Sequence, residues 1–404
     1  GNWATKEGSL LAYNDENNNY KPLPFDFTRA SSATVVNKKG LIETVGSGEP
    51  RIDFSDDANG ALLLEPQETQ LISYSNDFSN SDWQKYGVNL YYNSAIGVDG
   101  TLSATTLSRA AGTTNRINQN KLLVAGNQYT ISIYAKADSD KYITIGLIYG
   151  SLNYAATQFD LVNGIVLNSY SAGAFSVHSP KIEKMPNNWY RVSATVLPGI
   201  NDSYPAFIAS NTLWTSGNPG VFDPGNGVSG IYIQKPMFTN STVLTSYIEN
   251  TSVGTVTRSA DTASDAGNST VINSTEGVLY ADMDFLTFSG QDYFGLNDGS
   301  NSQRVLIEKN GNTLTSYINS VSLSTTISSL SNKIAVKYKL NDFALFINGV
   351  KVATSFSGTT PIGLNRIDFK IGGGLALYGF GNIKDVRVYN TALTDAELTT
   401  LTTI

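Results

Sequence analysis

The sequence repeats short runs in which apolar and polar residues alternate, and this period of two limits the fold more than any other feature. In Tyr142-Ile143-Thr144-Ile145-Gly146-Leu147 the apolar side chains share one face, as in a half-buried strand. Turns such as Asp99-Gly100 and Asn163-Gly164 separate runs of this kind. The 36 Gly, 22 Tyr and 17 Phe also suit short strands joined by tight turns. The sequence predicts an all-β fold with antiparallel β-sandwich domains in tandem.

Changes in composition along the chain predict four segments. Residues 1–66 are polar and irregular, and we interpret them as an extended lead-in that docks on something else. Residues 67–251 hold the first series of strand-like runs, which predicts one β-sandwich. Residues 252–275 are rich in Ser, Thr, Gly, Asp and Asn and predict a linker. Residues 276–404 hold a second series of runs and predict a second β-sandwich.

The dipeptide Asn348-Gly349 predicts a β-hairpin in the second sandwich. It lies between two alternating strands, and both residues tolerate the positive φ angles of a type I′ turn. The register that follows from such a turn sets Ile347 opposite Val350 and Leu345 opposite Val352.

The end of the chain predicts one short helix. Thr394-Asp395-Ala396-Glu397 has the spacing of a capping box, in which the first and last side chains satisfy each other's backbone N–H groups. Leu398 and Leu401 follow at helical spacing. No other helix is expected from the sequence.

Residue counts exclude several classes of function. The chain has no Cys, so disulfides, thiolate metal sites and cysteine nucleophiles are excluded. The net charge is −7 with 27 Lys and Arg, and no dense basic cluster is interleaved with aromatics, so nucleic acid is not expected as a partner. No stretch approaches the roughly twenty apolar residues of a membrane helix, so membrane insertion is not expected either.

Candidate catalytic groups are few, and each has a structural interpretation. Glycoside hydrolysis needs two carboxylates about 5 to 9 Å apart. The nearest approach is Asp282-Met283-Asp284, which we interpret as the solvent-facing half of a strand near a sheet edge. His178 has no Ser-centred elbow and is interpreted as a surface-loop residue. Ile371-Gly372-Gly373-Gly374 is not followed by a helical pattern, so it predicts a turn or bulge. We therefore expect a protein that is not an enzyme.

Several blocks of the last segment occur in the order of a known family. They are Glu276-Gly277-Val278-Leu279-Tyr280, Lys333-Ile334-Ala335-Val336-Lys337-Tyr338, Phe346-Ile347-Asn348-Gly349, Ile383-Lys384-Asp385-Val386-Arg387-Val388-Tyr389-Asn390 and Leu393-Thr394-Asp395-Ala396-Glu397-Leu398. Together they resemble the concanavalin A-like jelly-roll family of laminin G and pentraxin type domains. The resemblance implies a fold but no single ligand, because such domains bind glycans, proteins or nothing.

The same resemblance raises calcium as a possible cofactor. Laminin G relatives sometimes bind Ca²⁺, which takes oxygen ligands converging from several loops. Asp292, Asp298 and Asp342 lie in predicted loops and are the candidate ligands, although their spacing is not that of a dedicated calcium loop. No other cofactor is expected.

A second set of blocks spans most of the chain. They are Phe27-Thr28-Arg29-Ala30-Ser31-Ser32-Ala33-Thr34, Gly40-Leu41-Ile42-Glu43, Pro50-Arg51-Ile52-Asp53, Leu62-Leu63-Leu64-Glu65-Pro66-Gln67, Tyr232-Ile233-Gln234, Thr245-Ser246-Tyr247-Ile248, Thr257-Arg258-Ser259-Ala260-Asp261, and Asn297-Asp298-Gly299-Ser300 with Arg304. They resemble bacteriophage tail and head fibre (spike) proteins with a carbohydrate-binding-like jelly-roll module. Lys235-Pro236 departs from that family, which often has an apolar residue and Glu there.

This second resemblance implies a function and partners. The chain is expected to be a virion fibre or spike adhesin that binds host surface polysaccharide or mucosal glycans, and its N-terminal segment is expected to contact other virion proteins. A homotrimer is also implied, in which several weak contacts add up through avidity. Two alternatives stay open: a structural capsid-decoration or fibre-shaft protein, and a capsule depolymerase.

Aromatic residues in turn-rich segments are the candidate glycan contacts. Sugars stack their CH faces on aromatic rings, while amides and carboxylates take the hydroxyl groups. The candidates are Trp83, Tyr91, Tyr92, Tyr149, Tyr204 and Trp214 in the first sandwich and Tyr378 in the second. Packing is the competing interpretation for each of them, and Trp189, within a strand, is assigned to the core. If Trp83, Tyr204 and Trp214 are all buried, the structural alternative gains.

Overall fold

The structure, a computed structural model, shows two compact units. It describes residues 25–110, 115–150, 152–215, 217 and 225–404, together with the backbone of 12–14 and 20–22. Unit 1 consists of 1–32, 45–66 and 259–404, and unit 2 consists of 33–44 and 67–258. No helix in the described ranges is long and apolar enough to cross a membrane.

Short strands make up most of the described chain. In chain order the first are β1 (Ala12–Asn14), β2 (Tyr20–Pro22), β3 (Asp26–Thr28), β4 (Ala33–Val36), β5 (Ile42–Val45), β6 (Ile52–Asp53), β7 (Ala61–Leu64), β8 (Glu68–Gln70), β9 (Gln84–Tyr86), β10 (Val88–Ile96), β11 (Leu102–Arg109), β12 (Arg116–Asn118), β13 (Lys121–Leu122), β14 (Tyr129–Ala137), β15 (Tyr142–Tyr149), β16 (Asn153–Asp160), β17 (Ile165–Ala172) and β18 (Ser176–Lys184).

The remaining elements follow a 3-10 turn at Pro186–Asn188. They are β19 (Tyr190–Leu197), β20 (Asp202–Ser210), β21 (Gly230–Thr239), β22 (Val256–Arg258), β23 (Thr262–Ser264), β24 (Glu276–Asp284), β25 (Gln291–Asn297), β26 (Arg304–Asn310), β27 (Thr313–Ile318), β28 (Val321–Thr326), β29 (Ser331–Lys339), β30 (Phe343–Ile347), β31 (Val350–Ser355), β32 (Arg366–Asp368), β33 (Gly381–Tyr389) and α1 (Asp395–Thr402). The predicted all-β fold is confirmed.

Unit 2 is a sandwich of two antiparallel sheets. One sheet has six strands in the order β10-β11-β21-β14-β19-β18, and the seven-stranded sheet has the order β17-β16-β15-β20-β12-β9, with β13 also paired to β20. Successive side chains of a strand point to opposite faces, so alternate residues fill the space between the sheets. Ile131 and Ile133 of β14 therefore share one buried cluster with Ile143, Ile145 and Leu147 of β15.

Strand β15 is covered on both faces rather than half-buried as its sequence predicts. Ile143, Ile145 and Leu147 face the core, as the period of two requires. Ile148 points the other way but is also buried, in a second cluster that contains Trp214. The outer face of this sheet is thus partly covered by a loop, which the alternation alone does not reveal.

Unit 1 is also a sandwich of two antiparallel sheets. One has seven strands in the order β31-β30-β29-β24-β33-β7-β6, and the other has five in the order β28-β27-β26-β25-β32. The core between them includes Leu279 and Met283 of β24 and Phe294 of β25. Helix α1 packs on the outer face of the seven strands, where Leu398 joins a cluster with Tyr280.

The N-terminal segment is divided between the units, which differs from the predicted lead-in over 1–66. Residues 45–66 belong to unit 1 and residues 33–44 to unit 2. Strand β7 extends the seven-stranded sheet of unit 1, because Leu64 pairs with Gly381 of β33. Leu62 and Leu64 are fully buried in the core of unit 1. An apolar run of this kind gains stability by burial, which explains why it completes a sheet.

The predicted linker 252–275 contains short strands and buried residues. The change from unit 2 to unit 1 falls inside it, after Arg258. Strand β22 pairs with β8 in unit 2, and β23 pairs with β3 in unit 1. Ala263 of β23 is buried in the core of unit 1. The segment therefore differs from a free linker, because both of its halves pair with strands from earlier in the chain.

The Asn348-Gly349 hairpin is present with a modified register. Asn348 has φ +50° and Gly349 has φ +81°, as a type I′ turn requires. Ile347 lies opposite Val350 as predicted, but a β-bulge then shifts the pairing and Leu345 lies opposite Ala353. The prediction of Val352 opposite Leu345 was wrong, because the extra residue of a bulge cannot be read from the turn.

Helix α1 begins as predicted. Thr394 accepts a hydrogen bond from the backbone N–H of Glu397, and the Glu397 side chain accepts one from the backbone N–H of Thr394, which is a complete capping box. Leu398 is buried against the sheet of unit 1, so the helix is held by packing as well as by its cap.

Candidate functional site

The outer face of the seven-stranded sheet of unit 2 carries tyrosines, amides and one arginine. Strand pairing sets Gln84 and Tyr86 of β9 next to Asn118 and Arg116 of β12. Asn118 in turn lies next to Ala206 of β20. Because residues two positions apart share a face, these side chains point to the same side of the sheet.

Two further tyrosines extend this cluster. Tyr204 lies on β20, two positions before Ala206, and its ring centroid is 5.9 Å from that of Tyr149 at the end of β15. Both tyrosines are half-buried, and Tyr149, at the end of its strand, also packs against the core between the sheets. We call this group of side chains the tyrosine face; its members are Gln84, Tyr86, Arg116, Asn118, Tyr149 and Tyr204.

Hydrogen bonds and stacking hold the polar members of the tyrosine face in place. Arg116 Nε donates to Asn118 Oδ1 at 3.0 Å, and Asn118 Nδ2 donates to Gln84 Oε1 at 2.9 Å. The Arg116 guanidinium carbon lies 4.4 Å from the centre of the Tyr86 ring. Tyr86 is nevertheless 40% exposed. The face therefore offers a supported aromatic ring to solvent next to the half-buried Gln84 amide, and the fully buried Asn118 supports both from within.

Tyr204 keeps its proton at neutral pH. Burial raises its pKa, and the nearby Asp202 carboxylate and the Tyr149 ring raise it further. A protonated phenol both donates and accepts hydrogen bonds, which matches the hydroxyl groups of a sugar. The tyrosine face thus combines ring surfaces with groups that donate and groups that accept hydrogen bonds.

Trp214 does not contact solvent, contrary to its prediction as a glycan contact. Its side chain is fully buried on the outer face of the same sheet, 4.7 Å from Tyr170 and 6.1 Å from Tyr154 between ring centroids. Its indole N–H donates to the Gly217 carbonyl, and its backbone N–H donates to Gln158 Oε1. Trp214 therefore anchors the loop after β20 onto the sheet.

Trp83 is also a core residue rather than a glycan contact. It is 2% exposed, and its ring centroid lies 5.0 Å from Phe78 and 6.2 Å from Phe207. The indole N–H donates to the Tyr74 carbonyl at 3.0 Å. The turn-rich segment around it folds back over its own aromatic rings, so a position in a turn did not mean exposure.

Tyr91 and Tyr92 lie away from the tyrosine face. Both belong to β10, which is the edge strand of the six-stranded sheet. They are 50% and 44% exposed. Tyr92 donates a long hydrogen bond of 3.4 Å to the Phe78 carbonyl. The two residues are accessible, and the Tyr91 side chain makes no hydrogen bond or ring contact in the part of the chain that the structure describes.

Tyr378 lies in unit 1 and is half-buried. Its carbonyl accepts a hydrogen bond from the Tyr293 backbone, and its ring lies 6.1 Å from Phe380. On the outer face of the five-stranded sheet of unit 1, the Arg304 guanidinium lies 5.5 Å from the Tyr317 ring centre. Unit 1 therefore has an arginine–tyrosine pair of its own, separate from Tyr378.

The two carboxylates of Asp282 and Asp284 lie on β24 and are half-buried. Lys384 Nζ is 2.7 Å from Asp284. The pKa of Asp282 is raised by burial and by the neighbouring carboxylates of Asp284 and Asp385, and the charges of two lysines offset only part of this. Strand β24 lies between β29 and β33, so its predicted place near a sheet edge was wrong. Lysines among these carboxylates match the structural interpretation better than a hydrolytic pair.

His178 is exposed, but it lies in strand β18 rather than in a loop as predicted. Its Nε2 atom is 2.8 Å from Ser176 Oγ, two positions earlier on the same strand. No Asp or Glu is within ion-pair distance of it among the described residues. The arrangement lacks the third group that orients a catalytic histidine.

The glycine run at 371–374 forms a turn, as predicted. Gly373 and Gly374 have φ +76° and +74°. No helix follows, because the chain continues into strand β33. Without a helix N-terminus the backbone N–H groups do not converge on an anion.

The calcium candidates each have partners of their own, and Asp292 lies in strand β25 rather than in a loop as predicted. Asp292 pairs with Lys309 Nζ at 3.1 Å, and Asp342 pairs with Lys337 Nζ at 2.8 Å. Asp298 accepts hydrogen bonds from the backbone N–H and hydroxyl of the residue two positions later, at 2.8 and 2.6 Å. Within the described ranges, no three His, Cys, Asp or Glu side chains are grouped as a metal site.

Sequence reasoning found Tyr149 and Tyr204 and missed the rest of the tyrosine face. Gln84, Tyr86 and Arg116 sit on very short strands whose alternation spans only three residues each. A pattern of that length is too short to distinguish from a turn. Their neighbours across the sheet come from distant parts of the chain, so only the strand register brings them together.

Two family models match this chain. Residues 71–166 match the family described as "Carbohydrate binding domain", and residues 268–399 match the "Concanavalin A-like lectin/glucanases superfamily" in its laminin G type. The chain carries a carbohydrate-binding-type domain and a concanavalin A-like domain. The first match lies in unit 2 and covers the tyrosine face except for Tyr204, and the second lies in unit 1.

Solved structures give distant similarities to these two domains. Domains LG4-5 of the mouse laminin alpha1 chain are 10% identical, with 70% of this chain and 90% of that chain covered and a TM-score of 0.23. A putative carbohydrate binding protein from Bacteroides ovatus is 11% identical (82% and 84% covered, TM-score 0.27). Trypanosoma rangeli sialidase is 10% identical (97% and 96% covered, TM-score 0.27). Among curated protein sequences, none matches this chain.

Proposed function

We propose that the chain is a non-catalytic virion fibre or spike adhesin that binds host surface or mucosal glycans through the tyrosine face of unit 2. One observation carries the proposal: an exposed Tyr86 ring, stacked on Arg116, lies beside the Gln84 amide, which a buried Asn118 holds in place. The carbohydrate-binding family match over 71–166 supports the same ligand class.

The chemistry of the tyrosine face suits a sugar. The apolar CH face of a pyranose packs on an aromatic ring, and Tyr86 offers such a ring to solvent. Asn118 is fully buried and holds the half-buried Gln84 amide and Arg116 in place, so little side-chain entropy is lost when Gln84 binds hydroxyl groups. A preorganised site of this kind binds single sugars weakly and gains from repetition along a polysaccharide.

Binding without hydrolysis is proposed because of the residue types present. Glycoside hydrolysis takes two carboxylates that flank the bond, about 5 to 9 Å apart. None of the six side chains of the tyrosine face is a carboxylate, and Asp202, near Tyr204, is a single one. The depolymerase alternative would therefore need a second carboxylate near Asp202 or a site elsewhere in the chain.

The virion location, the docking of residues 1–66 on other virion proteins and the homotrimer rest on the sequence blocks that resemble bacteriophage fibres. Three copies would present three tyrosine faces to one cell surface. Avidity would then convert modest affinities into stable attachment.

A structural capsid-decoration or fibre-shaft role has one observation in its favour. Trp83 and Trp214 are buried, and they are two of the three aromatics whose burial would favour a structural role. Tyr204, the third, is only half-buried, and Tyr86 beside it is open to solvent. The glycan hypothesis therefore now depends on Tyr86 and Tyr204 rather than on the tryptophans.

A glycan microarray tests the proposal directly. The purified chain should bind a subset of immobilised glycans, and Tyr86→Ala and Tyr204→Ala should each weaken binding roughly tenfold, the usual loss when a central aromatic contact is removed. Tyr91→Ala is the matched control, because it removes a tyrosine of comparable exposure (50% against 40% for Tyr86) from the other sheet of the same unit. It should leave binding unchanged.

Further measurements separate the alternatives. Binding to bacterial cells should be lost after periodate treatment, which cleaves vicinal diols of surface glycans. No glycan or cell binding, at calcium concentrations up to millimolar, would favour the structural role. Release of reducing sugar from a bound polysaccharide would show a depolymerase. Light scattering during size-exclusion chromatography should give the mass of a trimer.

A further inference from the structure

Arg116 has no carboxylate partner in the described parts of the chain. Its Nε atom donates to the Asn118 amide, and its guanidinium lies over the Tyr86 ring. No Asp or Glu of the described residues is within ion-pair distance, and both terminal Nη groups lack a protein acceptor there. The side chain is only half-buried, so those N–H groups can reach a ligand.

Several other arginines of the chain pair with carboxylates. Arg29, Arg51 and Arg109 are buried and form ion pairs of this kind. Arg304 in unit 1 is the counterpart of Arg116, because it lies over the Tyr317 ring and forms no ion pair among the described residues. Arg116 differs from Arg304 in its place, since it lies within the range of the carbohydrate-binding family match.

The contacts of Arg116 determine which of its edges is available. The Nε edge is occupied by Asn118 Oδ1, and the Tyr86 ring covers one planar face. This leaves the end of the guanidinium where Nη1 and Nη2 lie side by side. Two parallel N–H groups match the two oxygens of a carboxylate or a sulfate, in the bidentate geometry that arginine favours.

We propose that the tyrosine face is specific for acidic glycans and that Arg116 binds the sugar's anionic group. This inference rests on the proposed glycan-binding function and adds the substrate class. Tyr86 would stack on the sugar ring next to the anion, while the half-buried Gln84 amide takes its hydroxyl groups and the buried Asn118 holds Gln84 and Arg116 in place. Arg116 would thus determine specificity, and Tyr86 would supply contact area.

Charged side chains toward the two ends of β20 predict the orientation of a bound glycan. The strand register pairs Asn118 with Ala206, so Arg116, two positions earlier on β12, lies toward the Ile208 end of β20. Asp202 lies at the other end of β20, about 20 Å away at about 3.3 Å per residue. Tyr204 is close enough to Asp202 for the carboxylate to raise the pKa of its hydroxyl. The anionic sugar is therefore expected at the Arg116 end, because Asp202 would repel it at the other.

The test compares Arg116 variants on an array of neutral, uronate-containing, sialylated and sulfated glycans. The wild-type chain should bind acidic glycans at least tenfold more tightly than neutral ones of similar length. Arg116→Gln should remove this preference, and Arg116→Lys should restore only part of it because lysine keeps the charge without the fork. Arg304→Gln is the control, since it changes an arginine over a tyrosine in unit 1.

Carboxyl reduction of the best-bound glycan gives the second arm. Reduction to the neutral sugar should lower wild-type affinity about as much as Arg116→Gln does, and the two changes together should not add. If glycans that contain uronate or sialic acid lose binding on reduction, the bound anion is a carboxylate. If sulfated glycans keep their binding after the same treatment, the bound anion is a sulfate. Raising the salt concentration should weaken acidic glycans more than neutral ones.

The outcomes separate this inference from the proposed function. Equal binding of neutral and acidic glycans, lost in Tyr86→Ala but kept in Arg116→Gln, would overturn the acidic specificity and leave the glycan-binding face standing. Absence of binding to every glycan on the array would reject both. Loss of acidic binding in Arg304→Gln, with Arg116→Gln unaffected, would move the site to unit 1.

Discussion

Asp261 accepts a hydrogen bond from Arg29 Nη1 at 2.9 Å, which joins two residues 232 positions apart within unit 1. Both side chains are fully buried. Arg51 bonds to the other oxygen of Asp261 and also to Glu65 Oε2, the latter at 2.7 Å. Two arginines and two carboxylates thus neutralise one another away from water and tie the N-terminal segment to the C-terminal sandwich.

We expect Asp261→Asn to destabilise unit 1 by about 3 to 5 kcal/mol, because it leaves a buried arginine charge uncompensated. Urea unfolding followed by circular dichroism measures the loss, and hydrogen exchange should show faster opening of β7 and β33. Lys339→Ala is the control. It breaks an ion pair with Glu276 in which Lys339 is 51% exposed, and such pairs contribute about 0 to 1 kcal/mol. Equal losses in both variants would contradict the prediction.

Local patterns in the sequence predicted local structure well. The turn residues Asn348-Gly349 and the capping box at Thr394 each act within a few positions, so their outcome does not depend on the rest of the fold. The buried cluster of Asp261 could not be predicted in this way. Charged residues are rarely buried, and the sequence blocks that contain Arg29 and Arg51 give no distances between them.

The candidate site was predicted only in part, because some of its side chains are brought together by long-range strand pairing. Tyr149 and Tyr204 lie on long strands whose alternation is visible, and the structure brings them within 5.9 Å. Tyr86 and Arg116 become neighbours only through the pairing of β9 with β12, which is a long-range property. Trp214 was misassigned because a turn-rich segment usually runs over the surface, whereas this one folds onto a sheet.

The turn at Asp99 should make unit 2 sensitive to acid. Burial raises the pKa of Asp99, but hydrogen bonds from Thr101 and Ser103 and the charge of Lys235 outweigh it and lower the pKa from 3.8 to about 2. Because the folded pKa is below the unfolded one, the ionised carboxylate stabilises the fold above pH 3.8. That contribution is lost as the pH falls toward about 2.

Asp99→Asn should therefore lower the unfolding free energy of unit 2 by about 2 kcal/mol at pH 7, the usual contribution of hydrogen bonds to a charged group. The difference from wild type should shrink as the pH falls from 4 to 2. Thr101→Val removes one donor and should shift the acid transition to higher pH. Urea titrations followed by tryptophan fluorescence measure both. A difference that is constant with pH would reject the assignment.

Truncation of Trp214 should reduce stability, whereas truncation of Tyr86 should reduce glycan binding. Trp214→Ala should destabilise unit 2 by about 3 to 5 kcal/mol, because it leaves a cavity beside Tyr154 and Tyr170. Tyr86→Ala removes a side chain that is 40% exposed and should change stability by about 0.5 kcal/mol or less. Urea unfolding and glycan binding measured on the same preparations should show a stability loss for one variant and a binding loss for the other.

Gly349 should be replaceable only by residues that accept a left-handed backbone. Its φ is +81°, and a Cβ atom there would lie 3.2 Å from Thr403 Oγ1. Since Ala, Asn and Val share that Cβ, differences among them report the backbone conformation. A left-handed backbone costs roughly 1 to 2 kcal/mol for most residues, less for Asn and most for a β-branched residue. Urea unfolding should therefore rank Gly349→Asn above Gly349→Ala and Gly349→Val last, and equal stability of the Asn and Val variants would show that the contact with Thr403 decides instead.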